Sequence, residues 1–260
     1  MNKLAQVRGF VMDMDGTIFL GETLLPGAVD FVTHLQKNKT PFLFLTNNSS
    51  KHRELYEQKL NRLGLNVTAA EIFTSGEATA IYLKEKFARF GIYLVGTPAL
   101  ETEFQQHGYF LTDQNPSAVV LGFDTTLTYE KLWKLCDFVR AGLPYFATHP
   151  DLNCPTENGY MPDIGAMIAF VEASTGRRPD QIIGKPNLPV VDALKERLRL
   201  PVEEICMIGD RLYTDIALGQ AGLVTVLVLS GETKAIDVPE SPFKPDITVD
   251  NLAGLYELLR

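Results

Sequence analysis

An α/β fold built on a parallel sheet is predicted by three features of this chain. Short apolar runs alternate with segments whose apolar residues recur at helical spacing, and the runs stop abruptly at polar or charged residues. The run Phe10-Val11-Met12 is unbroken, as in a strand covered on both faces, and ends at Asp13-Met14-Asp15-Gly16-Thr17. Val29, Val32 and Leu35, with Phe31 beside them, form a helical stripe. Phe42-Leu43-Phe44-Leu45 is a second buried strand, ending in Thr46-Asn47-Asn48-Ser49-Ser50, and a helix over 55–63 closes at Gly64.

The last third repeats this grammar. Ile182-Ile183 leads to Gly184-Lys185-Pro186, and Val190, Val191, Leu194 and Leu198 form one helical stripe. Ile205-Cys206-Met207-Ile208 ends at Gly209-Asp210, a short helix over 214–221 stops at Gly222, and strands over 224–228 and 247–249 precede a helix over 252–259. The middle has strands and helices of its own: apolar runs at 92–95, 118–121 and 145–147, and helices over 77–87, 99–107, 129–139 and 165–173. Thr74-Ser75-Gly76 and Gly176-Arg177-Arg178-Pro179 read as its linkers. The expected division is a core from 1–75 plus 180–260 and an inserted, smaller α/β unit from 76–179. Such an insert is well sited to act as a lid.

Composition narrows the function. A formal net charge of −8 argues against a nucleic-acid polymer or a membrane surface as partner, since both call for clustered Lys and Arg. It leaves room for a small anion, because one cation and one Lys suffice for a local positive site. Cys136, Cys154 and Cys206 contain no C-x-x-C pair and read as reduced thiols of a cytoplasmic protein rather than a disulfide framework or zinc site. Asp13 and Asp15 break the first apolar stretch, so no signal peptide is expected, and no run is long enough for a bilayer.

Ligands of parallel sheets bind beyond the carboxyl ends of the strands. Four segments are expected there: Asp13 with Asp15, Thr46, Lys185, and Asp210 with Asp215. Phosphoryl transfer needs a nucleophile, a proton donor, a cation and donors around the equatorial oxygens. Asp13 suits the nucleophile and Asp15 the general acid and base. Thr46 would donate its hydroxyl to a phosphoryl oxygen, and Lys185 would neutralise charge. Asp13 and Asp210 would hold Mg²⁺, with Asp215 bracing either the metal shell or Lys185. Gly16 lets the chain turn beneath the acids. Taken singly, each piece has an ordinary structural reading: D-x-D-G occurs in turns, Thr46-Asn47-Asn48 could cap a helix, and a Lys before Pro is usually solvated. The combination and its order carry the inference. An EF-hand loop, a G-x-x-x-x-G-K-[ST] loop, a G-x-G-x-x-G turn after the first strand, a G-x-S-x-G elbow and H-E-x-x-H are all missing from the sequence.

These residues resemble the haloacid dehalogenase superfamily. D-x-D-G-T is met by Asp13 to Thr17, the strand-ending Ser or Thr by Thr46, the Lys of G-K-P by Lys185, and G-D-x-x-x-x-D by Gly209-Asp210 through Asp215. The second acid, Asp15, is similar to the phosphatase branch. Leu45-Thr46-Asn47-Asn48-Ser49, Leu121-Gly122-Phe123-Asp124 with Tyr129, and Ala147-Thr148-His149-Pro150-Asp151 resemble the 4-nitrophenylphosphatase-like and N-acetylglucosamine-operon phosphatase-like subgroup, subfamily IIA, which carries a large α/β cap. The resemblance implies a Rossmann-like core, Mg²⁺ held by Asp13, Asp210 and the backbone carbonyl of Asp15, and a small phosphorylated metabolite as partner. It places Gly16, Thr46, Asn47, Asn48 and Lys185 around the phosphate. His149, where many relatives have Asn, is a candidate substrate contact or a loop histidine bonded to its own backbone. A phosphotransferase, or a phospho-aspartate signalling module that does not hydrolyse, is the alternative. Exposed cap faces are candidate contacts for a homodimer.

Overall fold

The computed structural model describes residues 3–87, 91–156 and 159–260. They form two compact units: residues up to Thr46, 54–73 and from Val191 onward make the first, and residues 47–53 and 74–190 the second.

The first unit is built on a six-stranded sheet in the order Ile247–Val249, Val224–Val228, Ile205–Gly209, Gly9–Met12, Phe42–Thr46 and Ile72–Thr74. Gly9–Met12 lies at the centre and pairs in parallel on both sides, Phe10 facing Cys206 on one and Phe42 on the other. All four of its residues are buried, which explains the unbroken apolar run. On one face, Phe10, Met12, Phe44, Ile208 and Val226 pack with Phe31, Val32 and Leu35 of helix Ala28–Lys37 and Leu252 and Leu255 of helix Leu252–Leu258. Phe31 meets Phe10 edge to face, with centroids 5.5 Å apart. Removing a side chain of this size from water contributes about 1.5–3 kcal/mol. Helix Ala28–Lys37 begins at Gly27, whose φ of 85° and lack of a Cβ are both needed: a Cβ there would come within 2.1 Å of the Ala253 nitrogen.

The second unit has a five-stranded parallel sheet in the order Gln181–Ile182, Tyr145–Ala147, Ala118–Leu121, Gly91–Val95 and Phe110–Leu111. Its side chains alternate between two cores, as period-two geometry requires. Tyr93, Val95, Val119 and Leu121 face helices Tyr129–Arg140 and Ile164–Thr175, through Leu135, Val139, Ile168 and Val171. Ile92, Leu94, Ala118 and Val120 face Ala80 and Leu83 of helix Ser75–Phe87 and Leu100 and Phe104 of helix Pro98–Gln106. Caps set these helices. Thr97 accepts from Leu100 N–H ahead of Pro98, Asp163 accepts from Ile164 N–H, and Gly176 closes the helix at φ 74°.

Several elements differ from the sequence reading. Gln181–Ile182, expected in the sheet of the chain ends, pairs instead with Phe146 and Ala147 in the second unit. Thr74-Ser75-Gly76, expected as a hinge, stands where the chain passes from the first unit to the second, and there runs straight from strand into helix, with Thr74 Oγ1 accepting from Glu77 N–H at 2.9 Å. The turn after Asp215 is a 3₁₀ helix, Ile216–Ala221. Two hairpins, Phe19–Leu20 with Thr23–Leu24 and Asn153–Thr156 with Gly159–Pro162, and the strand Ile72–Thr74 had no distinct sequence signal. Among the described residues no helix is long and apolar enough to cross a membrane.

Candidate active site

In the first unit, three neighbouring parallel strands deliver polar side chains to the same end of the sheet. Asp13 follows Gly9–Met12, and its N–H donates to Ile208 O at 2.8 Å, extending the ladder by one residue. Asp210 follows Ile205–Gly209, and Thr46 ends Phe42–Thr46. Beyond Asp13 the chain turns tightly: Ile18 N–H donates to Met14 O and Gly16 N–H to Phe19 O, both at 2.8 Å. Met14 and Ile18 are fully buried and anchor this turn, leaving Asp13 half-buried and Asp15 exposed. Gly16 has φ 84°, and a Cβ on it would lie 2.4 Å from Asp210 Oδ2, so only glycine serves there.

One carboxylate oxygen from each of Asp13, Asp210 and Asp215 lies within 4.8 Å of the others. Asp210 and Asp215 are almost wholly buried. Asp215 Oδ2 accepts from Arg211 N–H at 3.0 Å, and Gly209 gives it space, since a Cβ at 209 would meet Asp215 Cγ at 2.3 Å. Like charges this close repel by on the order of 3 kcal/mol per pair at an effective dielectric of about 20. A divalent cation relieves that repulsion. An all-oxygen carboxylate set matches a hard ion such as Mg²⁺, so the residues fit the metal that the motif implies.

Lys185, Asn47, Asn48 and His149 all belong to the second unit. Lys185 follows Gln181–Ile182 and is 2% exposed. Its backbone is gripped by one side chain: Lys185 N–H donates to Asn47 Oδ1 at 2.9 Å, while Asn47 Nδ2 donates to Lys185 O at 3.0 Å and to Asp151 Oδ1 at 3.0 Å. Gly184 keeps this approach open, because a Cβ there would sit 2.7 Å from Asn47 Oδ1. The Asn47 carboxamide, expected at the phosphate, is therefore taken up in shaping the lysine's backbone. Asn48, expected there too, closes a local turn: its Oδ1 accepts from Ser50 N–H at 2.9 Å and from Ser50 Oγ at 2.6 Å. His149 is fully buried, with Nδ1 accepting from Asp151 N–H at 3.3 Å and Nε2 3.5 Å from Asp163 Oδ1. The loop bond is one of the two roles expected for it. The residues that sequence reasoning missed are Ser230, Gly231 and Glu232. Only the folded contacts mark them out.

Comparison with known proteins agrees with this geometry. Residues 10–110 match the family model described as haloacid dehalogenase-like hydrolase, and residues 182–255 a second model of HAD-like hydrolases. The crystal structure of a 4-nitrophenylphosphatase from Thermotoga maritima superposes with a TM-score of 0.96 at 46% identity, covering 100% of both chains. An acid sugar phosphatase of Staphylococcus haemolyticus (strain JCSC1435) is 34% identical over 94% of either chain. A dihydroxyacetone phosphatase of Corynebacterium glutamicum (strain R) is 34% identical over 95% of this chain and 90% of its own. With its α/β core and inserted α/β cap, the chain belongs to the haloacid dehalogenase-like hydrolases, as a phosphomonoester hydrolase of their subfamily IIA.

Proposed function

We propose that this protein is a Mg²⁺-dependent phosphatase of small phosphomonoesters that works through a phosphoryl group on Asp13. The observation that carries the reading is the cluster of Asp13 and Asp210, at adjacent strand ends, with Asp215 from the turn that follows Asp210. Asp13, Asp210 and the carbonyl of Asp15 would hold the cation, with Asp215 orienting them. Bound there, magnesium supplies the positive charge that lets a carboxylate approach an anionic phosphoryl group.

In this reading an Asp13 oxygen attacks phosphorus, and the bond from phosphorus to the alcohol oxygen breaks. Asp15 gives its proton to that oxygen. Asp15, now a carboxylate, takes a proton from water as the water oxygen attacks the same phosphorus. The bond to Asp13 breaks, inorganic phosphate leaves, and Asp13 and Asp15 return to their starting forms. The Thr46 hydroxyl donates to an equatorial oxygen, the glycine at 16 lets the turn pass close beneath the phosphoryl group, and the Lys185 ammonium offsets its charge. Asn47 serves the lysine by holding its backbone.

Removing the Thr46 hydroxyl in Thr46→Ala is expected to raise the barrier by on the order of 3 kcal/mol, read as a loss in kcat of two to three decades. An unchanged kcat in this variant removes Thr46 from the site. The names of the relatives support sugar and triose phosphates as substrates. Three cysteines with no C-x-x-C pair, two of them buried, support a reducing, cytoplasmic setting. The whole reading is tested by phosphate release from a panel of sugar phosphates, dihydroxyacetone phosphate, nucleoside monophosphates and 4-nitrophenyl phosphate. Release is expected with Mg²⁺, abolished by EDTA and restored by added Mg²⁺. No release from any member of the panel, or release indifferent to EDTA, refutes it.

A further inference from the structure

Asp210 is held by a segment that lies outside all four motifs. Ser230-Gly231-Glu232-Thr233 follows the strand Val224–Val228 in the first unit. Glu232 N–H donates to Asp210 Oδ2 at 2.6 Å, and Thr233 N–H donates to Asp210 O at 3.3 Å. Ser230 Oγ donates to Gly16 O at 2.8 Å. The segment thus touches both the carboxylate of one motif and the turn of another. Gly231 leaves no room for a side chain, since a Cβ on it would stand 2.0 Å from Asp210 Oδ2 and 2.5 Å from Asp210 Cγ. Gly16 presses on the same carboxylate, and its own Cβ would lie 3.1 Å from Gly231 Cα.

The Glu232 side chain points elsewhere and closes the arrangement. Its Oε2 lies 3.0 Å from Arg211 Nε, and its Oε1 accepts from Tyr213 Oη at 2.8 Å. Arg211 and Tyr213 are in the stretch immediately after Asp210. Glu232 therefore holds Asp210 through its backbone and the following turn through its carboxylate. An amide-to-carboxylate bond is charge-assisted and directional, so it fixes the rotation of the group as well as its place. A carboxylate bonded in this way is pre-set for a cation, and partners one layer out from a metal shape its affinity.

We propose that Ser230–Thr233 is a positioning element of the cation site, in which Gly231 provides the space and Glu232 the grip that orient Asp210. The inference rests on the reading above that Asp210 holds Mg²⁺. It is tested on the full-length protein without substrate, by titrating Mg²⁺ in a calorimeter and by following thermal unfolding with and without Mg²⁺. Wild type should bind Mg²⁺ saturably and unfold at a higher temperature in its presence. Gly231→Ala, whose methyl displaces the carboxylate, should keep the wild-type circular dichroism spectrum yet raise the Mg²⁺ Kd by on the order of tenfold or more. Should Gly231→Ala fail to fold, Glu232→Ala decides the matter: it keeps the backbone amide but cuts the link to Arg211 and Tyr213. Its Kd should rise several-fold with little change in the metal-free unfolding temperature, and Glu232→Gln, which can still bond Tyr213, should recover most of the affinity. Folded variants with wild-type Mg²⁺ affinity overturn the proposal alone. A wild type with no response to Mg²⁺ overturns the metal reading and this inference with it.

Discussion

Asp13→Asn is expected to lower phosphatase turnover by on the order of 10⁶, to background, while the protein stays folded. The substitution keeps the shape of the side chain but removes the charge that attacks phosphorus in the proposed mechanism. Loss of a nucleophile on this scale, about 8 kcal/mol in the barrier, exceeds what any single hydrogen-bond donor supplies. The fold should survive for a local reason. Asp13 is only half-buried, and neutralising it relieves repulsion among three carboxylates that crowd within 4.8 Å. The same change also weakens the cation site, so the assay must be run at rising Mg²⁺. Activity that returns as Mg²⁺ saturates marks Asp13 as a ligand only. Activity that stays at background, together with loss of the phosphorylated peptide seen in quenched wild-type turnover, marks it as the nucleophile.

Asp15→Asn is expected to lower steady-state turnover by roughly 10²–10⁴, the range of a general acid and base. Its effect should split by step. With 4-nitrophenyl phosphate the leaving group needs little protonation, so attack by Asp13 proceeds, but water is no longer activated for the second displacement. The variant should therefore release one equivalent of 4-nitrophenolate in a rapid burst and then stall as the phosphorylated form. The structure supports a clean separation, because Asp15 is exposed and stands outside the three-carboxylate cluster. The same experiment addresses the rival reading of a phospho-aspartate signalling module. A module would keep its phosphoryl group for many minutes even in wild type, whereas an enzyme loses it in seconds or less. Burst-free kinetics at the wild-type rate in Asp15→Asn remove this residue from the chemistry.

Much of the fold was legible where the physics is local. Runs such as Phe10-Val11-Met12 and Ala118-Val119-Val120-Leu121 have no polar interruption because both faces of their sheets are covered. Gly64, Gly176 and Gly222, all at positive φ, mark helix ends in the sequence because those positions exclude most other residues. Reading failed where the deciding partner is distant. Gln181-Ile182 looks the same whichever sheet it joins; Phe146 and Ala147 settle the matter, some 35 residues upstream. The paired strands Asn153–Thr156 and Gly159–Pro162 are exposed at nearly every residue, so they carry no alternating pattern. The site was legible as motifs because carboxylates at strand ends are rare and ordered. Its supports were not, since the double grip of Asn47 and the bare backbone of Gly231 act through contacts that sequence spacing does not encode.

The central position of Gly9–Met12 has a cost in time. This strand leaves the ribosome before both of its neighbours and soon meets Phe42–Thr46, but the other one, Ile205–Gly209, is roughly 200 residues further on, on the order of ten to forty seconds of synthesis. The second unit, residues 47–53 and 74–190, lies wholly before Ile205 in the chain and is free to fold first. Until its partner arrives, one long edge of the nascent sheet stands open, with apolar Phe10 and Met12 beside it. Holding that edge from wrong partners, by chaperone or by speed, is a demand that this chain order places on the cell.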